Sequence, residues 1–131
     1  ADTKQLMMGM LENDQSASQR IKGVNVAMDL TKADEEIVRV LFKTLHSDPN
    51  TNVRLAALEA LYKFQHDTSI RKGLIDALSK QSDPMVQIRL IQLMVDMKEK
   101  TVVDDLQKMI DDAGTMKAVK DEAYSGILKL S

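Results

Sequence analysis

The 131-residue chain has no cysteine and no tryptophan, and only two prolines, two phenylalanines, two tyrosines and five glycines. Without cysteine there can be no disulfide, thiolate metal site or cysteine nucleophile. The compartment stays open, because cytosol and periplasm both tolerate such a chain. Folds rich in β-structure need turn glycines and prolines together with aromatic and β-branched strands, so the same scarcity argues against them. No apolar run reaches the ~18 residues of a membrane-crossing helix, and no signal peptide is visible. Neither sign of charge dominates. Residues 1–65 carry 8 basic against 9 acidic side chains and residues 66–131 carry 10 against 11, giving a net charge of −2. Nucleic-acid binding expects clustered Lys and Arg, so nucleic acid is not an expected partner. What remains is 44% hydrophobic and 29% charged, with nine methionines. That is the composition of a helical, aliphatic-cored protein about one domain long. The chain begins at Ala1, which reads as a mature product or a piece of a longer protein.

Self-similarity organises the sequence. Asp48-Pro49, Val53, Arg54, Leu55 and Leu58 recur 35 residues later as Asp83-Pro84, Ile88, Arg89, Leu90 and Leu93. Asp14 and Arg20 show the same separation 34 residues earlier, while Val119, Lys120 and Tyr124 form a degenerate last copy. A second series precedes each copy: Ile37, Leu41, Leu45, then Ile70, Leu74, Leu78, then Val102, Leu106, Ile110, with Met7 and Leu11 in the first unit. Spacing of i, i+4, i+8 marks one stripe of a helix. Each unit is thus a stripe helix (A), a short turn and a second helix (B). Helices are expected at about 3–12, 16–30, 34–46, 50–65, 68–80, 84–98, 101–112 and 116–130, with ends good to ~2–4 residues. Asp48 and Asp83 would cap two B helices, with Pro49 and Pro84 at the first helical position. Thr101 with Asp104 would cap the last A helix. The B helix after Asp48 is apolar over half its circumference and more, as for a helix buried on several sides by stacked neighbours.

The pattern of Asp48-Pro49, Val53-Arg54, Ala57 and Leu61 resembles the HEAT repeat. This resemblance implies an all-α fold, a right-handed alpha-alpha superhelix (solenoid) of four helical hairpins spanning 1–31, 32–66, 67–99 and 100–131. It also implies that Asp14, Arg20, Asp48, Arg54, Asp83 and Arg89 form a ladder of polar contacts, each Arg reaching the Asp of its own or an adjacent turn. Such a ladder fixes stacking register more than it adds stability. The chain is also similar to C-terminal HEAT domains of bacterial membrane proteins resembling anti-sigma factors. The compartment is left open by the sequence: cytoplasmic or, for a piece excised from such a membrane-anchored parent, periplasmic.

Catalytic chemistry has little to stand on. His46 and His66 flank one B helix of ~16 residues and so lie roughly 24 Å apart, too far for one metal or one acid–base dyad. Neighbouring acids such as Glu35/Glu36, Asp104/Asp105 and Asp111/Asp112 point apart on a helix or sit where its dipole favours them. Calcium loops, glycine-rich phosphate cradles and nucleophile elbows are absent. No enzyme activity, cofactor or metal is expected. The expected function is a protein-binding scaffold, gripping a partner along outward B-helix positions: Asn25/Asp29, Glu59/Lys63, Met94/Lys98 and Ser125/Lys129. Leu90 beside Met94 would make one stretch apolar, and the strip would run from acidic to basic. The alternatives are a spacer or homo-oligomerisation unit of a membrane-anchored regulator and, further off, a nucleic-acid-acting enzyme on such repeats.

Overall fold

A computed structural model describes residues 2–30 and 34–131. Among these are eight α-helices and no strand: α1 (Asp2–Leu11), α2 (Ala17–Met28), α3 (Glu35–Ser47), α4 (Thr51–Lys63), α5 (Thr68–Leu78), α6 (Pro84–Asp96), α7 (Val103–Asp111) and α8 (Lys117–Leu130). A 3-10 turn, Lys100–Val102, leads into α7. Every helix end falls within two residues of its expected place. The B helices α2, α4, α6 and α8 begin at 17, 51, 84 and 117, so the structural period is 34, then 33, then 33.

Two compact units are present, residues 1–73 and 74–131, with the division inside α5. In the first, α1 packs on α2, α3 on α4, and α2 on α4. Its core takes Met7 and Leu11 from α1, the Ile37, Leu41, Leu45 stripe from α3, and Val53, Ala57, Leu58 and Leu61 from α4. Gly23 lets α1 approach α2, since a Cβ there would lie 2.9 Å from the Leu11 amide nitrogen. In the second unit α7 packs on α8 and α6 on α8. A Cβ on Gly126 would stand 3.1 Å from Ile91 and 3.3 Å from Leu106, so this glycine sets how closely α8 lies on its neighbours.

Three expectations are corrected here. The cap of α4 is Asn50, whose side chain accepts from the amides of Asn52 and Val53, rather than Asp48; Pro49 lies outside the helix. In α6 Asp83 is the cap and Pro84 is the first residue, as expected. The Asp-Pro pair therefore plays different parts in the two repeats, and aligning on it displaces α6 by two residues. The last A helix has no side-chain cap. Thr101 donates instead to Glu99, and the 3-10 turn takes up the helix entry.

That displacement also overturns part of the outward strip. Leu90 and Met94 are wholly buried, because in the 33-residue register they match Ala57 and Leu61 of the α4 core rather than Leu55 and Glu59. Lys98 is exposed but lies beyond the end of α6, at φ 55°. There the amide of Lys98 donates to the Val95 carbonyl and that of Glu99 to the Met94 carbonyl. This pair of bonds is a Schellman closure, a position that favours glycine.

Candidate functional site

The fourth residue of each B helix is Arg20, Arg54, Gln87 or Lys120, and its amide bonds to the carbonyl of the capping position in every case. In three of the four the side chain turns back to the preceding turn. Arg20 Nη1 donates to the Asn13 carbonyl at 2.8 Å. Arg54 donates to the Leu45 and His46 carbonyls at 3.0 and 3.1 Å, two of the orphan acceptors ending α3. Gln87 Nε2 donates to the Gln81 carbonyl at 2.8 Å. These side chains close the first three hairpins.

Arg20 does more. Its Nε and Nη2 grip both oxygens of Asp48 at 2.7 and 3.0 Å, a bidentate pair joining the first hairpin to the second, with side chains 10% and 6% exposed. The hydrogen bond to Asp48 raises the guanidinium pKa, and the nearby charge of Asp14 adds to the effect. Asp14 itself is exposed. Asp48 also accepts from the Asn50 amide, so one carboxylate organises both the turn and the junction. In the third repeat Gln81 and Gln87 occupy the places of Asp48 and Arg54. Asp83 and Arg89 stand two residues later, and Arg89 donates to Gln92 on its own helix at 3.3 Å. The Gln81/Gln87 pair was missed because the Asp83/Arg89 spacing imitates the motif.

An open cleft of about 650 Å³ lies over the Arg20–Asp48 pair, walled by Leu11, Val40 and Thr44 with Glu12, Asp14 and Lys43 at its mouth. At the edge of the same unit Lys4 bridges to Asp34 at 3.0 Å and Glu36 at 3.2 Å. The Lys4 hydrogen bond is the main cause of a lowered Asp34 pKa, and two capped α3 amides also lower it.

The solvent-facing side of the B helices is read from their ninth and thirteenth positions. In register these are Asn25 and Asp29, Glu59 and Lys63, Gln92 and Asp96, Ser125 and Lys129. Glu59 and Ser125 are half-buried and the others exposed. Position thirteen thus alternates in sign from one B helix to the next, rather than drifting from acidic to basic. Lys63 Nζ donates to the Met28 carbonyl at the end of α2 and lies 5.7 Å from the Phe64 ring centroid. A small cleft of about 90 Å³ between α6 and α8 is lined by Gln92, Val95, Glu122, Ser125 and Lys129.

His46 is half-buried and stacks on Phe42, with ring centroids 6.4 Å apart, whereas His66 is exposed. Among the described residues no group of His and acidic side chains could hold a metal ion, and no helix is long and apolar enough to cross a membrane.

Residues 37–68 match the HEAT repeat family model. The match covers α3, α4 and the turn into α5, and supports the HEAT resemblance on the hairpin whose geometry is fullest; it does not extend to anti-sigma-factor-like membrane proteins. No curated protein and no solved structure matches the chain.

Proposed function

We propose that this chain is a non-catalytic scaffold that binds a protein partner across the solvent-facing side of its B helices. One observation carries the reading. Each B helix buries an apolar face, from Val24 and Ala27 on α2 to Val119, Ala123 and Leu130 on α8, yet its ninth and thirteenth positions keep exposed or half-buried polar side chains, from Asn25 and Asp29 to Ser125 and Lys129. HEAT repeats are commonly protein-interaction scaffolds, and the match at 37–68 supports the same use here. Within each unit position thirteen carries one acid and one base, Asp29 with Lys63 and Asp96 with Lys129, which suits a partner that carries both signs and gives specificity and orientation more than raw affinity.

A photo-crosslinking residue placed at Glu59 or Ser125, compared with one on the A helices at Arg39 or Lys72, tests this in extract of the native source. Discrete adducts from the B-helix positions and none from the A-helix positions are expected. Equal labelling from both sets, or none from either, rejects the assignment.

A further inference from the structure

We infer that the exposed end of α8 is a docking face for α2 of a second copy of this chain, so that copies associate head to tail. The inference goes beyond the partner-binding reading: it rests on the exposed face of α8, shares only Asp29 and Lys129 with the proposed strip, and is tested on the purified chain alone. It begins with how one B helix receives the next. On α6 the eighth and twelfth residues, Ile91 and Val95, lie against Gly126, the tenth residue of α8. In the first unit α4 packs on α2 with its tenth residue, Ala60, fully buried. Lys63 reaches the carbonyl of Met28, the twelfth residue of α2. The eighth and twelfth positions are therefore the receiving pair. On α8 that pair is Tyr124 and Leu128, which are 61% and 63% exposed. Two large apolar side chains stand in solvent where α6, the earlier B helix of this unit, meets its successor.

Charge identifies the occupant. Where α8 lies on α6, positions six and thirteen are Arg89 and Asp96 on one helix and Glu122 and Lys129 on the other, opposite in sign at both. A successor to α8 should then carry a base at position six and an acid at position thirteen. On α2 these residues are Lys22 and Asp29, both exposed. Its tenth residue is Val26, half-buried and apolar, suited to rest on Tyr124 and Leu128. Thus α2 presents the face that α8 lacks. An isologous, antiparallel contact between two α8 helices would instead pair Glu122 with Lys129 of the other copy and give α2 no role, which is the alternative the test below separates. The head-to-tail contact is heterologous, so it extends rather than closing at a dimer unless the rotation makes a ring.

Sedimentation equilibrium of the 131-residue chain at concentrations up to about 1 mM, where contacts this small are populated, tests the inference. The wild type should show a mass rising with concentration past that of a dimer. Lys22→Glu with Asp29→Lys, which blocks α2, and Leu128→Lys, which blocks α8, should each lower the association constant by about tenfold or more. An equimolar mixture of the two variants should recover wild-type affinity but stop at the heterodimer, because one intact α2 meets one intact α8. A wild type that stays monomeric overturns the inference. So does undiminished self-association of the Lys22→Glu, Asp29→Lys variant, which is the signature of α8 pairing with α8. All three substitutions are at exposed positions. Should Leu128→Lys nonetheless lose its helical circular dichroism, the α2 variant against wild type decides alone.

Discussion

At the scale of single residues the most buried polar link between the first two hairpins is one ion pair. Arg20 and Asp48 are almost fully removed from solvent and joined by two parallel hydrogen bonds. Deleting one partner of such a pair strands the other charge, which is much more damaging than replacing both. Arg20→Ala should lower the unfolding free energy by about 3 kcal/mol, read as a fall in the urea midpoint. Arg20→Lys should recover only part of it, because an ammonium cannot make the planar two-pronged contact. An unchanged midpoint in Arg20→Ala would remove the junction from the list of stabilising contacts. Two aspartates nearer the solvent, Asp34 half-buried and Asp67 exposed, act differently. Asp34 is held below the ordinary aspartate value by Lys4, and Asp67 by the Ser69 hydroxyl and then the Ile70 amide. A carboxyl lowered on folding contributes stability that is present above its unfolded pKa and lost as pH falls through the folded value. The melting temperature should therefore begin to fall below about pH 4. Asp67→Asn keeps a capping oxygen but no longer titrates, so its curve should fall less steeply over that range. Identical curves would exclude Asp67 as a contributor.

At the scale of elements, most of the helices are legible in the sequence. Stripe residues such as Ile37, Leu41 and Leu45 sit at helical spacing, and breaks such as Asp83-Pro84 bound the segments between them. Register was harder. The Asp-Pro pair suggests a 35-residue offset between α4 and α6, yet Pro49 lies before its helix and Pro84 within its own. The buried residues carried the better signal. Val53, Ala57, Leu58 and Leu61 match Val86, Leu90, Ile91 and Met94 at an offset of 33, and an apolar pattern must follow the core whereas a capping motif can slide. That slip put Met94 on the surface and hid the Gln81/Gln87 pair. The closure of α6 was illegible for another reason, since lysine gives no hint of a left-handed backbone. Lys98 at φ 55° carries a steric penalty that glycine does not. Lys98→Gly should stabilise by about 1 kcal/mol, measured by chemical denaturation; a loss instead would mean that the lysine side chain matters more than its backbone. Gly23→Ala should do the reverse. Its methyl would press on the Leu11 backbone, a clash of about 1–3 kcal/mol that outweighs the better helix propensity of alanine.

At the scale of the molecule, a chain of similar hairpins is stabilised by neighbours, so its stability should vary along the sequence rather than vanish all at once. The first hairpin is the place to look. From α1 it buries only Met7 and Leu11 and from α2 only Val24 and Ala27 as apolar side chains, whereas α4 alone buries Val53, Ala57, Leu58, Ala60 and Leu61. Much of what ties it to the second hairpin is ionic: Arg20 with Asp48, and Lys4 with Asp34 and Glu36. The Lys4 contacts are exposed enough to be screened by salt, and the Arg20 pair is not. Native-state hydrogen exchange should show the amides of α1 and α2 opening as a group, about tenfold faster or more than those of α3 and α4. Raising the salt concentration should widen that gap while leaving the slowest amides of α4 unchanged. Uniform protection across α1 to α4 would mean that the junction transmits the stability of the second hairpin undiminished to the first, and that the ion pairs tie the two hairpins into a single cooperative block.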